Sequence, residues 1–279
     1  MTGLPFAMRL AGYGVRAPAT RVRGREVAGR VEAVGANVTR FACGDEVFGV
    51  GEGCFAEYAR ASQNKLAPRP AALTVEQAAA TTVSALTALQ AVRDRGHVEP
   101  GQLVIGASGG VGTFAVQIAK VFGAEVTGVC STSKVDLVQA LGADHVLDYT
   151  RTDITGSGIT GGAQRYDVIL DIGGNRSLAQ LRRGLGARGT LVMVGGEGGG
   201  RWLGIGRQLQ ALALSPFLAQ QLRSVLCSEN AADLRVLADL IECGAVTPAI
   251  DRTYPLSETP AAIAHMAGGN ARGKVVVTV

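Results

Sequence analysis

Leu103-Val104-Ile105-Gly106-Ala107-Ser108-Gly109-Gly110-Val111-Gly112 carries more architectural information than any other ten residues of the chain. A short apolar run leads straight into a glycine-rich turn. A helical pattern opens straight after it, with Phe114, Ile118, Val121 and Phe122 on one face. That placement, between strand and helix, is what gives the glycines meaning. Gly106 or Ala107 permits a sharp turn off the strand, Gly109 lets backbone approach a diphosphate, and Gly112 lets the helix pack against the strand. The helix begins with unpaired N–H groups and a partial positive charge, which suits an anion. Ala107, Ser108, Gly109, Gly110, Val111 and Gly112 are therefore expected to cradle the diphosphate of a dinucleotide. A tight strand–helix turn without a ligand is the plain alternative.

Downstream, short apolar runs keep alternating with helical patterns. The runs are Glu125–Val129, His145–Leu147, Asp167–Leu170 and Thr190–Val194, and Leu137, Val138 and Leu141 form a helical stripe closed by Gly142. Runs buried on both sides and separated by helices predict parallel strands covered on two faces. After the second run an NAD site would place Asp or Glu for the ribose 2′-hydroxyl. This chain has Cys130-Ser131-Thr132-Ser133-Lys134 instead, and hydroxyls beside a cation suit a 2′-phosphate. NADP(H) is thus the expected cofactor. The competing possibility is that Ser131 only caps the next helix while Lys134 is solvated.

Upstream, Gly24 to about Pro70 alternates and turns often, with Val27–Gly35 strand-like and Gly44-Asp45 a turn signal before Glu46-Val47-Phe48. Pro68-Arg69-Pro70 reads as a boundary. Thr74-Val75-Glu76-Gln77 carries a capping-box pattern that opens an Ala-rich helix. From about Glu229 a helix with Leu234, Leu237, Leu240 and Ile241 on one face is followed by turns and a final strand Lys274–Val279. The plan is β-rich, then α/β, then a segment that returns to the first part. Expected boundaries are 1–74, 75–228 and 229–279.

The bulk properties fit a folded enzyme-sized chain. Its 279 residues are 47% hydrophobic and 18% charged, enough for a large buried core. The 39 glycines follow no collagen period. A net charge of +4 gives no reason to expect nucleic acid, despite a locally basic start that a transit peptide would share. No apolar run reaches eighteen residues, so no membrane span is predicted. Five scattered cysteines form no C-x-x-C pair, which argues against a disulfide framework or structural zinc lobe. A cytoplasmic address is the default expectation.

With these residues in view, the chain resembles the zinc-free, quinone oxidoreductase-like branch of the medium-chain dehydrogenase/reductase superfamily. The resemblance rests on Ala107–Gly112, on Gly24–Gly35, on Gly44-Asp45-Glu46-Val47-Phe48-Gly49, on Phe55-Ala56-Glu57-Tyr58 and on Gly273-Lys274-Val275-Val276. It implies an α/β fold, a Rossmann parallel sheet inserted into a GroES-like β-rich domain. It also implies that Ser131, Lys134 and Tyr149 meet the 2′-phosphate, and that Gly195 and Gly196 face the nicotinamide. For Tyr149 a partly buried edge aromatic is the bland alternative. A homodimer is the family's habit. The family opens with a hairpin and strand that Met1-Thr2-Gly3-Leu4-Pro5 does not resemble, so the chain is expected to start within that domain.

The alcohol dehydrogenase branch has Gly-His-Glu where this sequence has Gly24-Arg25-Glu26, and arginine cannot ligate a cation. Cys43 and Cys54 are expected to be small buried side chains, and His97, His145 and His265 form no cluster. No metal is expected. The implied reaction is metal-free hydride transfer from NADPH to a quinone, enone or alkenal, whose charge spreads over the acceptor. No proton donor is assigned: Tyr13, Tyr58 and Tyr254 are available, each with a structural reading beside it. An NADP(H)-binding protein without turnover, a redox sensor or structural partner, is the competing function.

Overall fold

The computed structural model describes residues 22–107, 109–152, 165–174, 176–194, 206–269 and 271–279. In chain order its strands are β1 (Glu26–Arg30), β2 (Glu46–Glu52), β3 (Arg60–Pro68), β4 (Leu103–Ala107), β5 (Glu125–Cys130), β6 (His145–Asp148), β7 (Tyr166–Asp171), β8 (Leu185–Met193), β9 (Gln221–Ser224), β10 (Ile250–Pro255) and β11 (Lys274–Thr278). Its principal helices are α1 (Val75–Gln90), α2 (Gly110–Val121), α3 (Val135–Ala140), α4 (Leu178–Gly184), α5 (Gly206–Leu214), α6 (Ala231–Glu242) and α7 (Thr259–Ala267). They divide between two units. One gathers Arg21–Leu89, Gly109–Phe114 and Cys227–Val279, and the other gathers Gln90–Ser108 and Ala115–Leu226. The second is thus inserted, in chain order, into the first. The fold class is α/β.

The inserted unit is a six-stranded sheet in the order β6-β5-β4-β7-β8-β9, with every neighbouring pair parallel. Its strands read as apolar runs because both faces are covered. Ile169, Leu191 and Met193 are buried together with Leu178 and Leu181 of α4 and Leu222 of β9. Gly128 of β5 is a packing requirement, since a Cβ there would lie 2.2 Å from Cγ1 of Val138 on α3. Ser177 and Gln180 close a reciprocal capping box that starts α4. On α2, Phe114 and Ile118 are buried as expected. Val121, the last residue of α2, is exposed instead.

The outer unit begins with an antiparallel sheet, β1-β2-β3, in which Glu26 faces Val50 and Val47 faces Pro68. The strand-like run Val27–Gly35 is strand only to Arg30. Beyond it Val31 still donates to the Asp45 carbonyl at 2.9 Å and accepts from the Gly44 amide at 2.8 Å, and Val38 then closes a turn on Gly35. The capping box of α1 forms as written: the Thr74 amide donates to Oε1 of Gln77 over 3.0 Å, and the Gln77 amide to Oγ1 of Thr74 over 3.2 Å. The returning segment supplies α6, which packs on β3 with Leu234, Leu237 and Ile241 buried. It also supplies β10 and β11, which pair in parallel. Among the described residues no helix is long and apolar enough to cross a membrane.

Candidate cofactor-binding site

Parallel pairing brings the carboxyl ends of β4, β5, β6, β7 and β8 to one edge of the sheet, at Ala107, Cys130, Asp148, Asp171 and Met193. From β4 the chain steps outward to β5 and β6, then returns to pair β7 on the other side of β4. The reversal lies between β4 and β7, and in open parallel sheets ligands bind outside the carboxyl ends at such a point. The turn after β4 is therefore where recognition should begin. Its Gly109 has φ of +108°, a conformation that side chains adopt only with strain, and nothing lies within 4 Å of the position a Cβ would take. The first helical bond of α2 runs from the Thr113 amide to the Gly109 carbonyl at 3.0 Å. The amides of Gly110, Val111 and Gly112 precede it and have no carbonyl within the helix to serve. An unobstructed Gly109 followed by amides that no helical carbonyl serves fits a diphosphate. Ser108 lies outside the described residues, as do Gly195 and Gly196.

Within the outer unit the start of α2 rests on a polar cluster. Lys274 of β11 donates to Glu26 Oε2 at 2.7 Å and to Ser84 Oγ at 2.9 Å. The other oxygen of Glu26 accepts from the Thr82 hydroxyl at 3.0 Å and the Val83 amide at 2.9 Å. A Cβ on Gly110 would stand 3.2 Å from both Cδ of Lys274 and Oγ of Ser84, so the lysine stem limits the space beneath the turn. Glu26 and Lys274 are 248 residues apart, and only the fold could pair them.

At the next strand end, Ser131, Thr132, Ser133 and Lys134 turn into α3. Ser131 makes no side-chain cap bond, so its hydroxyl is not spent on the helix. It lies 3.4 Å from the Ser133 hydroxyl. Among the described residues Lys134 has no ion-pair partner. Tyr149, half exposed, is tied to the same segment through its amide, which donates to the Cys130 carbonyl at 3.0 Å. The structure thus brings Ser131, Lys134 and Tyr149 to one sheet corner. A Ser131 hydroxyl that caps no helix, beside an ammonium without an ion-pair partner among the described residues, fits a phosphate dianion. Sequence reasoning did not single out Asp148. Its carboxylate accepts from Thr132 Oγ1 at 2.5 Å, from Thr150 Oγ1 at 2.6 Å and from the Thr150 amide at 2.9 Å. The Thr132 hydrogen bond first and the Thr150 bonds second hold it below the usual carboxylate range.

A second polar pair sits at the carboxyl end of β7. Asp171, buried at the end of β7, is bonded by Arg207 of α5, which also donates to the Gly174 carbonyl at 2.7 Å. That ion pair was also not anticipated, since its partners sit 36 residues apart with no shared period. Of the tyrosines, Tyr58 is 72% exposed, Tyr254 is buried beside Arg252, and Tyr13 lies outside the described residues.

Ligand chemistry for a metal is sparse. Arg25, where the alcohol dehydrogenase branch has histidine, is ion-paired to Glu229, which Lys65 also bonds at 2.9 Å. Burial pushes the Cys54, Cys130 and Cys227 thiols above their ordinary range, which disfavours thiolate. Cys43 corrects an expectation: it is exposed rather than buried, because it sits in the Ala42–Asp45 turn with its thiol on the Glu32 carbonyl. Among the described residues no three His, Cys, Asp or Glu side chains converge.

Comparison with known proteins agrees with this architecture. The family model for the alcohol dehydrogenase GroES-like domain matches residues 6–71, and the model described as zinc-binding dehydrogenase matches residues 141–277. NAD(P)H oxidoreductase RTN4IP1, mitochondrial, from Mus musculus is 35% identical over 279 residues, a match spanning 92% of this chain and 70% of the relative. The quinone oxidoreductase of Coxiella burnetii superposes with a TM-score of 0.82 at 27% identity, covering 98% of this chain and 83% of that one. A mycobacterial protein solved as a complex with NADPH superposes with a TM-score of 0.79 at 28% identity, covering 92% and 82%. The chain belongs to the medium-chain dehydrogenase/reductase superfamily, in its quinone oxidoreductase-like branch.

Proposed function

We propose that this chain binds NADPH and transfers its hydride to a quinone, enone or alkenal without a metal. The observation that carries the proposal is Ser131, whose hydroxyl caps no helix, in the same turn as Lys134, which has no ion-pair partner among the described residues; the left-handed turn at Gly109 supports the dinucleotide reading on its own account. The amides of Gly110, Val111 and Gly112 hold the diphosphate, while Ser131, Lys134 and Tyr149 hold the 2′-phosphate. The likeness to a mycobacterial protein bound to NADPH and to a quinone oxidoreductase supports this reading. The domain division expected from the sequence, 1–74, 75–228 and 229–279, is carried with it.

When bound, a reduced nicotinamide supplies a hydride. Charge arriving on a conjugated acceptor spreads over an enolate or quinone ring, so the protein's task is alignment and hydrogen bonding to the oxyanion. The choice of residues supports the metal-free part: Arg25 is committed to Glu229, and three thiols are held protonated by burial. Two further parts of the proposal are a homodimer and a cytoplasmic address. β9 is an edge strand, flanked by Phe217 and Leu226 at 85% and 88% exposure, a surface suited to a second copy. Light scattering counts the chains, and cell fractionation tests the address against the mitochondrial name of the mouse relative.

The deciding experiment follows the absorbance of reduced nicotinamide after NADPH is mixed with the protein and a quinone or an alkenal. Consumption that requires protein and acceptor is expected. NADPH that binds and is never oxidised, whatever the acceptor, would remove the enzymatic reading and leave a binding protein.

A further inference from the structure

We propose that Thr132 and Thr150 set the preference for the phosphorylated coenzyme by clasping the Asp148 carboxylate, which keeps its charge off the Ser131–Lys134 segment, where Lys134 has no ion-pair partner among the described residues. The inference rests on the NADPH site proposed above and concerns which coenzyme that site accepts.

The register places Asp148 directly opposite Cys130, at the carboxyl ends of neighbouring strands. A free carboxylate at this corner would accept a ribose 2′-hydroxyl and repel a 2′-phosphate, the behaviour of an NAD-selecting acid. Asp148 is not free. One oxygen takes the Thr132 hydroxyl, and the other takes both the hydroxyl and the amide of Thr150. The two hydroxyl oxygens also approach each other at 2.8 Å. Two hydroxyl protons serve three contacts, and an ionised carboxylate claims both of them. The clasp therefore turns the charge toward the threonines.

Lys134 shows the consequence. Asp148 and Lys134 act with opposite sign on the Cys130 thiol, which burial affects most, so both charges stand near that residue. Among the described residues they nevertheless form no ion pair. A carboxylate released from the threonines could swing onto the ammonium and neutralise it, or stand where a phosphate must enter. Either movement penalises NADPH and spares NADH. The clasp also joins the segment after β5 to the segment after β6, and so holds Ser131 and Tyr149 at one corner.

The test compares dissociation constants for NADPH and NADH in the full chain, with far-ultraviolet dichroism and melting as controls for folding. Replacing both threonines (Thr132→Val with Thr150→Val) should lower the NADPH:NADH affinity ratio about tenfold, the size of one charged hydrogen bond. Thr132→Ser with Thr150→Ser, which keeps both hydroxyls, should keep the ratio. Asp148→Asn retains an acceptor for Thr150 and removes the charge, so its ratio should hold or rise. A merely structural role would weaken both coenzymes alike and leave the ratio fixed. An unchanged ratio in a folded double valine variant overturns the proposal, as does a ratio in Asp148→Asn that falls as far. If the unaltered protein binds both coenzymes equally, or neither, the NADPH reading itself fails and the clasp falls with it.

Discussion

Two ends of neighbouring strands are proposed to grip the same coenzyme by different means. After β4 the contacts come from main-chain amides on a glycine turn, and no side chain is needed beyond the absence of one. After β5 they come from Ser131 and Lys134, side chains whose availability depends on what the neighbouring strand does with Asp148. Backbone recognition is coarse and hard to lose gradually, because every residue supplies an amide and only the conformation matters. Side-chain recognition is fine-grained and can be tuned from the neighbouring strand, because Asp148 faces Cys130, the residue before Ser131, in register. The first decides whether a dinucleotide binds and the second decides which.

The largest effect should come from Gly109→Val. A β-branched residue at φ of +108° costs about 1–2 kcal/mol in backbone terms. Because open space surrounds the Cβ position, the fold can accept the side chain, and the damage falls on the ligand. NADPH and NADH should both weaken on the order of a hundredfold, equivalent to about 2.7 kcal/mol. Calorimetric titration with each coenzyme checks this, and a variant that discriminated between them would break the division of labour between the two strand ends. Lys134→Glu should do the reverse. NADPH is expected to lose about 1–3 kcal/mol, the scale of a charge-assisted hydrogen bond, while NADH is hardly moved. Parallel losses for both coenzymes would mean that Lys134 supports the loop rather than reads the phosphate.

The same contrast explains how much could be read from the sequence. The turn at residues 106–112 is visible because glycine is the residue that such backbone demands, and the demand is local. The capping box at Thr74 and Gln77, and Gly142 with φ of +97°, are local in the same sense. Ser131 and Lys134 could be proposed from residue type, but Asp148 could not, because its meaning depends on the pairing of β5 with β6. Glu26 with Lys274, and Asp171 with Arg207, were hidden for that reason. Strands divide likewise. β5, β7 and β8 are buried on both faces and announce themselves as apolar runs. β9 is a four-residue edge with Leu222 its one buried side chain, and β10 alternates poorly because its order comes from β11 far along the chain.

The smallest predicted effect uses a second aspartate at the opposite edge of the same strand pair. Asp144 precedes β6 and accepts from the Lys120 ammonium at 2.8 Å and from the Val126 amide at 2.7 Å, near the amino ends of β5 and β6. Partial burial works against its charge, but the Lys120 hydrogen bond and the Val126 amide outweigh it and hold the carboxyl below the usual range. A depressed folded-state pKa stabilises the protein above the unfolded value, and that contribution fades as pH falls through the folded one. Asp144→Asn should therefore melt slightly lower at neutral pH, and its melting temperature should decline less steeply on acidification below the carboxylate range. The NADPH:NADH affinity ratio should not move, because this bond lies at the edge where no coenzyme phosphate is proposed. Thermal melts across an acid series measure the first two expectations and paired titrations the third. An altered ratio would show that the two edges are coupled, and the carboxyl-edge clasp would no longer account for selectivity by itself.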